Sequence, residues 1–212
     1  MNWNTIDLFS GAGGLSYGFQ SAGFNVLLGI DNDEKALETY KLNHHNAQTI
    51  CGDITKINYK EDIKPLIGDK TIDFIIGGPP CQGMSLAGNR ELDDPRNKLY
   101  LSYLRILTEI HPKAFVIENV PGLLSLFHGQ IKDSILKRLN KMDYSVHFNV
   151  LKASDYGVPQ IRRRVFFVGI RNDIKDTFKY PEPFVQYPLG LTLEIIKVSV
   201  LGGILYCKLF NY

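Results

Sequence analysis

The hydrophobic residues of this chain fall into short runs that alternate with stretches of helical periodicity. Seven apolar runs predict strands, in chain order TIDLF, NVLLGID, QTICGDI, TIDFIIGG, KAFVIENV, SVHFNVLKA and RRVFFVGIR. The first helix is predicted where Leu15, Phe19 and Ala22 recur, and Gly23 ends it. Three more are predicted in NDEKALETYKLNHH, RNKLYLSYLRILTEIH and GQIKDSILKRLNKMDY. Asn32 or Asp33 is expected to cap the second helix.

This alternation predicts an α/β protein with a doubly wound, mostly parallel, seven-stranded sheet. The last two strands are joined by a Gly-Pro turn rather than a helix, so one of them is expected to run antiparallel. In such sheets ligands bind beyond the carboxyl ends of the strands. The unusual residues of the chain fall at those ends, namely Phe9, Asp31, Asp53, Cys81 and Glu118.

Composition excludes several classes of protein. The three cysteines, Cys51, Cys81 and Cys207, lack CxxC spacing, which argues against a disulfide framework or a zinc site and favours a reducing cytoplasm. We see no signal peptide, and no apolar stretch is long enough to span a membrane. From Pro121 to Tyr180 there are eleven Lys and Arg against five Asp and Glu, which fits either a polyanion on one side or a solvated surface.

The first strand runs into the glycine-rich turn DLFSGAGG, which could bring a ligand against the start of the next helix. The third glycine of a dinucleotide fingerprint is replaced by Ser16. Asp31 could bond the hydroxyls of a ribose, and Asp53 could read an adenine amino group. A tight turn and helix caps are the alternatives. The spacing favours a nucleoside ligand and leaves S-adenosylmethionine and NAD both open.

Cys81 follows two prolines at the end of the fourth strand, within GGPPCQGMS. A lone cysteine is more often a small buried hydrophobe than a nucleophile. Here a long polar loop follows it, and Glu118 ends another apolar strand, where a carboxylate needs a partner if it is buried. That partner could be catalytic, or it could be a structural one such as Asn119 or a backbone amide.

The last strand begins with Arg162, Arg163 and Arg164, of which the first and third point to one face. Together they could bind a phosphate or hold a thiolate ionised, or they could be solvated or paired. The histidines show no metal-like grouping and are expected at the surface or at helix ends: His44, His45, His111, His128 and His147.

Four segments together resemble the motifs of the DNA (cytosine-5)-methyltransferases: DLFSGAGGLSYGF, GGPPCQGMS, FVIENV and YGVPQIRRRVFFVG. They occur in that family's order and cover roughly the first 175 residues. The resemblance implies a Rossmann-like catalytic domain over residues 1–175, followed by a divergent or truncated tail over 176–212. It also implies S-adenosylmethionine as cofactor, and double-stranded DNA with no metal and no membrane.

The resemblance also implies a role for individual residues. Cys81 matches the nucleophile that adds to carbon 6 of cytosine, and Glu118 matches the residue that holds the N3 and N4 edge of the base. Arg162 and Arg164, in the motif that Gln160 heads, match arginines contacting base, phosphate and thiolate. The cofactor pocket is matched by Phe9, Ser10, Gly11, Ala12, Gly13, Gly14, Asp31, Asp53 and Pro80. The segment 82–98 resembles the loop that closes over a flipped cytosine.

The tail departs from the family, since VQYPLGLTLEIIKVSVLGGILYCKLFNY matches neither a target-recognition domain nor the motifs that follow it. Three interpretations follow: a methyltransferase of the restriction-modification type, a catalytic half that works with a separate recognition subunit, or a non-catalytic remnant that binds the cofactor. An RNA-methylating relative is a lesser alternative. Ser16 and the catalytic set disfavour a nicotinamide dehydrogenase.

Overall fold

The computed structural model describes residues 3–81, 97–158, 160–175 and 178–183, and the backbone of 196–200 and 203–207. The strands are β1 Asn4–Leu8, β2 Asn25–Asp31, β3 Gln48–Cys51, β4 Phe74–Gly77, β5 Ala114–Asn119, β6 Tyr144–Lys152, β7 Arg163–Arg171, β8 Ile196–Val200 and β9 Gly203–Cys207. The α-helices are α1 Gly14–Ser21, α2 Glu34–Asn43, α3 Lys64–Ile67, α4 Lys98–Ile110 and α5 Gln130–Asn140.

Seven strands form one sheet in the order β3-β2-β1-β4-β5-β7-β6, and β8 pairs with β9 in a separate hairpin. All neighbours in the large sheet are parallel except β7, which runs antiparallel to both β5 and β6. The predicted seven-stranded, mostly parallel sheet with one reversed strand is therefore confirmed. The strand order reverses direction at the β1–β4 boundary, which is where open α/β sheets form their ligand crevice.

Consecutive residues of the buried strands face different cores. Phe74 of β4 packs in one core with Phe19 of α1, whereas Ile75 packs in another with Tyr103 of α4 and Ile135 of α5. Because both faces of the sheet are covered, β4 reads as a continuous apolar run rather than an alternating one.

The helix boundaries follow from local chemistry. The side chain of Asp33 accepts a hydrogen bond from the backbone N–H of Ala36 at 3.1 Å, so Asp33 is the cap of α2 rather than Asn32. Gly23 has a φ of 88°, a left-handed conformation that ends the α1 turn.

Three helical segments among the described residues were not predicted, and the last is a short 3₁₀ turn over Ala153–Tyr156. A π-helical turn over Tyr59–Ile63 leads into α3, and 3₁₀ turns cover Pro121–Gly129. The first is set by side chains, because Asn58 accepts from the Lys60 N–H and Asp62 accepts from the Asn58 N–H. None of the three gives a regular apolar period, because the first and last are short and the second is broken by non-helical backbone at Leu126, Phe127 and His128. Among the described helices, none is long and apolar enough to cross a membrane.

We expect substitution of Gly169 by alanine to destabilise the fold, because an added Cβ would overlap the ring of buried Phe115. Overpacking of this kind costs about 1–3 kcal/mol of unfolding free energy. Gly122→Ala is the matched control, since nothing lies within 4 Å of its added Cβ. Urea denaturation measures both variants, and equal midpoints would contradict this account of the β5–β7 contact.

Candidate active site

The carboxyl ends of β1, β2, β4 and β5 meet at one edge of the sheet. The pairings Leu8 with Gly77 and Gly77 with Ile117 place Phe9, Gly78 and Glu118 directly beyond this edge. The glycine-rich turn leaves β1, the Pro-Pro-Cys segment leaves β4, and Glu118 lies near the end of β5. The topology therefore brings the two predicted halves of the site together.

The turn between β1 and α1 is held by the end of β2. The N–H of Ser10 donates to the carbonyl of Ile30 at 3.0 Å, and the N–H of Gly11 donates to Oδ2 of Asp31 at 2.7 Å. Asp31 also accepts from the N–H of Asp33 through Oδ1 at 3.0 Å. Asp31 thus ties the glycine turn to the second strand, and it is not the helix cap.

The glycines of the turn serve different purposes. Gly11 has a φ of 51°, and an added Cβ on Gly11 or Gly14 would meet nothing within 4 Å, so both border open space. An added Cβ on Gly13 would overlap His44 and Tyr40, so Gly13 permits close packing of α2. Ala12 is half-buried between them. The open space beside Gly11 and Gly14 would let a nucleoside approach the backbone of the turn closely.

Two more residues of the turn are unusual. Phe9 adopts a φ of 62°, in the left-handed region that few bulky residues occupy. Ser10 is 8% exposed, and its hydroxyl has no hydrogen-bond partner among the described residues. A buried polar atom without a partner is costly in a folded protein, and a bound ligand is one way to satisfy it.

Asp53 lies just after β3 and is exposed. Its Oδ1 accepts from both the N–H and the hydroxyl of Thr55, at 3.0 and 2.8 Å, and these bonds lower the pKa of its carboxyl. These bonds support the alternative in which Asp53 has a structural role, capping the turn that follows β3. The segment that follows is held by Arg105 of α4, which donates to the carbonyls of Ile54 and Ile57 at 3.2 and 2.7 Å.

Cys81 is a free, half-buried thiol packed against the main core. The segment before it is fixed from β5, because Nδ2 of buried Asn119 donates to the carbonyl of Pro79 at 2.8 Å. Pro79 is buried and Pro80 is exposed. Asn119 is therefore a structural partner of the cysteine segment and does not pair with Glu118. The predicted loop 82–98 lies outside the described residues except for its last two.

Glu118 pairs with the arginines of β7. Its Oε1 lies 2.8 Å from Nε of Arg164 and 3.7 Å from Nη2 of Arg162. Arg163 is exposed on the other face, as the alternation predicted. Burial raises the pKa of the Glu118 carboxyl above its ordinary value, and the two guanidinium groups only partly offset this.

Glu118 also lies against the cysteine segment, since an added Cβ on Gly78 would be 3.3 Å from its Oε2. Near the same strand end, Gln160 has a buried Oε1 without a partner in the described ranges. The sheet edge thus combines a thiol, a carboxyl whose pKa is raised by burial, and two guanidinium groups.

Sequence reasoning missed a buried group beneath the glycine turn. Asp7 of β1 and Ser16 of α1 are both buried and hydrogen-bonded to each other, and Ser16 also contacts Tyr40 of α2. The signal was an aspartate inside the apolar run TIDLF. His44 lies at a helix end as expected but is 1% exposed, so it is not a surface residue. Across the part of the chain described, no group of His, Cys, Asp and Glu could hold a metal ion.

The open α/β sheet, with its glycine turn at the switch in strand order, defines a nucleoside-binding class of fold. A sequence model of the family described as C-5 cytosine-specific DNA methylase matches residues 3–198. The chain belongs to this family.

Individual relatives agree with the family match. The chain is 46% identical over 173 residues to the Type II methyltransferase M.DdeI of Desulfomicrobium norvegicum, covering 80% of this chain and 41% of that protein. It is 41% identical over 193 residues to the Type II methyltransferase M.AquIA of a Picosynechococcus strain, covering 86% of this chain and 77% of that protein.

A solved structure shares the fold. It is a crystal structure described as a candidate DNA modification methyltransferase encoded within an Escherichia coli prophage, which is 37% identical with a TM-score of 0.74. The match covers 88% of this chain and 52% of that one. The chain thus spans about half, or less, of the prophage protein and M.DdeI, and a larger share of M.AquIA.

We expect Arg164→Met to raise the pKa of Glu118 further and to lower the unfolding free energy at about pH 8 by about 1–3 kcal/mol, because a buried carboxylate loses its closest partner. The loss should shrink towards about pH 4, where a protonated Glu118 no longer needs a cation. Urea denaturation at the two pH values measures it.

Exposed Arg163→Met removes the same side chain from the other face and is the control. A loss of stability that is equal in both variants, or that does not depend on pH, would contradict the pairing.

Proposed function

We propose that this chain is the catalytic part of a DNA (cytosine-5)-methyltransferase of the restriction-modification type, which transfers a methyl group from S-adenosylmethionine to carbon 5 of cytosine. The observation that supports the proposal is that three features follow neighbouring strands at one sheet edge: the glycine turn, the segment that leads to Cys81, and Glu118 with its partners Arg162 and Arg164. Membership of the cytosine-5 methylase family and the Type II methyltransferase relatives support it.

Cys81 is the proposed nucleophile. Its thiolate sulfur forms a bond to carbon 6 of cytosine, and the electron pair of the 5,6 double bond moves towards carbon 5 and the N3 edge. Carbon 5 is thereby made nucleophilic enough to take a methyl group. Water then takes the proton from carbon 5, the electrons of that C–H bond form the 5,6 double bond, and the carbon 6–sulfur bond breaks to release the Cys81 thiolate. The Pro79–Asn119 bond holds the cysteine segment for this attack.

Glu118 is proposed to hold the N3 and N4 edge of the base. Burial raises the pKa of this carboxyl, which favours its protonated form, relative to an ordinary glutamate, as negative charge develops on the ring. Arg164 and Arg162 orient the carboxyl in the free enzyme and are placed to meet a phosphate or the thiolate once a base enters.

S-adenosylmethionine would supply the methyl group, and the residues beyond β1 and β2 fit such a ligand. Gly11 and Gly14 leave space for it, and Ser10 offers a buried hydroxyl without a described partner. Asp31, at the end of β2, is in the position that bonds ribose hydroxyls in related sheets. Phe9, Ala12, Gly13, Asp53 and Pro80 complete the proposed pocket.

Double-stranded DNA is the proposed substrate, with the target cytosine flipped out of the stack to reach Cys81. The excess of basic residues from Pro121 to Tyr180 lies in the half of the chain that carries Arg162 and Arg164. Phosphate contacts there would position the duplex without reading its sequence. A domain boundary near residue 175 remains part of the proposal.

Methyl transfer from labelled S-adenosylmethionine to mixed-sequence DNA tests this function. We expect incorporation by the wild-type chain, and a loss of more than about a hundredfold in Cys81→Ser, because a serine hydroxyl is a far weaker nucleophile than a thiolate. Exposed Cys51→Ser is the matched control and should retain activity. Transfer that survives in Cys81→Ser would exclude Cys81 as the nucleophile.

A second arrangement, in which a separate polypeptide supplies target recognition, is favoured by one comparison. M.AquIA is the shorter relative, since 193 aligned residues make up 77% of it whereas 173 make up 41% of M.DdeI. A Type II methyltransferase can therefore be a much shorter chain than M.DdeI, as expected if another polypeptide supplies part of the enzyme.

The same assay with any co-transcribed protein added distinguishes these arrangements. We expect the partner to raise methylation at least about tenfold and to restrict it to particular sequences, because base contacts rather than phosphate contacts specify sequence. Undiminished, sequence-selective transfer by the chain alone would contradict the need for a partner. Binding of S-adenosylmethionine without any transfer would favour a remnant.

A further inference from the structure

Asp7 is an acidic residue in the middle of a buried strand. It is 1% exposed, and its Oδ2 accepts a hydrogen bond from the hydroxyl of Ser16 at 2.6 Å. Its Oδ1 has no hydrogen-bond partner among the described residues. A buried carboxyl is costly to keep, so its presence directly beneath the glycine turn calls for a physical reason.

Asp7 lies at the start of the first helix, on the neighbouring strand. The N-cap position of α1 is Gly13, which has no side chain to accept from the free N–H groups of the helix. The hydroxyl of Ser16, in the first turn of α1, instead donates to Oδ2 of Asp7 and holds the carboxyl at this end of the helix. A carboxylate at this end also interacts favourably with the helix dipole.

This position has a consequence for the charge of a ligand. In dinucleotide-binding sheets, the helix after the glycine turn presents its N–H groups to a diphosphate, and a third glycine gives close packing. Here Ser16 occupies the third glycine position, and its hydroxyl binds the carboxyl of Asp7. The start of the helix therefore already faces an acidic group of the protein. A further anion would be repelled from this end of the turn, whereas a cation would be attracted.

The carboxyl is held in place by the second helix. The hydroxyl of Tyr40 lies 3.0 Å from that of Ser16, and Nε2 of His44 lies 3.1 Å from the carbonyl of Gly13. The other ring nitrogen of His44 lies 2.6 Å from Oε1 of Gln20. These contacts link α2 to both the start and the end of α1. The Asp7 carboxyl cannot rotate away without breaking its hydrogen bond to Ser16.

We propose that Asp7 is a positioning and specificity-determining residue for the cofactor, whose carboxylate gives the glycine turn a preference for a nucleoside carrying positive charge. This inference rests on the proposed function, in which S-adenosylmethionine occupies the turn. The sulfonium charge is absent from the product S-adenosylhomocysteine, which shares all the other groups. Asp7 would therefore favour the substrate over the product.

The preference should depend on pH. Burial raises the pKa of Asp7 to about 7, with Ser16 lowering it and the charge of Asp31 raising it. The other ionisable groups facing it, Tyr40 of α2 and Tyr103 of α4, stay neutral because burial raises their pKa values. Burial lowers the pKa of His44, so it too is neutral above pH 7.

A bound cation favours the ionised carboxylate and lowers the pKa of Asp7. The affinity for S-adenosylmethionine should therefore rise as the pH increases through about 7, while that for S-adenosylhomocysteine changes little. Isothermal titration calorimetry of both ligands, from about pH 6 to about pH 8, measures the ratio of the two dissociation constants. We expect the ratio to shift about fivefold to tenfold in wild type.

Asp7→Asn keeps the size and a hydrogen-bond acceptor but removes the charge, so its ratio should be flat with pH. Asp73→Asn is the control, because Asp73 is a 7% exposed carboxylate that pairs with Lys113 at the opposite end of the sheet. It should lose stability yet keep the wild-type pH profile.

The wild-type series decides the question even where Asp7→Asn does not fold. A ratio that does not change with pH in wild type, or a shift that persists in Asp7→Asn, would overturn the role of Asp7. Failure of the wild type to bind either ligand would instead overturn the proposed cofactor, and this inference with it.

Discussion

The close parallel pairing of β1 with β4 is the constraint on which the site depends. Gly77 lies opposite Leu8, and an added Cβ at Gly77 would overlap the Leu8 carbonyl, so a larger residue at this position would push the two strands apart. The chain leaves one strand through the glycine turn and the other through the Pro-Pro-Cys segment. Because the strands end side by side, the glycine turn and the cysteine segment lie at the same edge of the sheet.

Two buried or half-buried carboxyls close to this edge have different neighbours. Burial raises the pKa of both Asp7 and Glu118. Glu118 faces two guanidinium groups, which offset part of that effect, whereas Asp7 accepts a hydrogen bond from the hydroxyl of Ser16. One carboxyl can therefore respond to a base and the other to a cofactor, although they project from strands of the same sheet.

Much of this arrangement could be predicted from local patterns. Apolar runs located the strands, and the period of two placed Arg162 and Arg164 on one face, opposite Arg163. Their pairing with Glu118 could not be predicted, because the strand order that puts β7 beside β5 is not a local property. The hydrogen bonds that join Asp7 of β1, Ser16 of α1 and Tyr40 of α2 could not be predicted either, because each residue lies in a different segment and none belongs to a recognisable motif.

The central claim is that Cys81 attacks a cytosine held at this edge. Intact-mass analysis of the protein, after incubation with S-adenosylmethionine and duplex DNA containing 5-fluorocytosine, tests it most directly. Fluorine at carbon 5 blocks the elimination that would free the enzyme, so the account predicts a covalent protein–DNA adduct that maps to Cys81. An adduct at another residue, or methyl transfer to ordinary DNA without any trapped adduct, would contradict it.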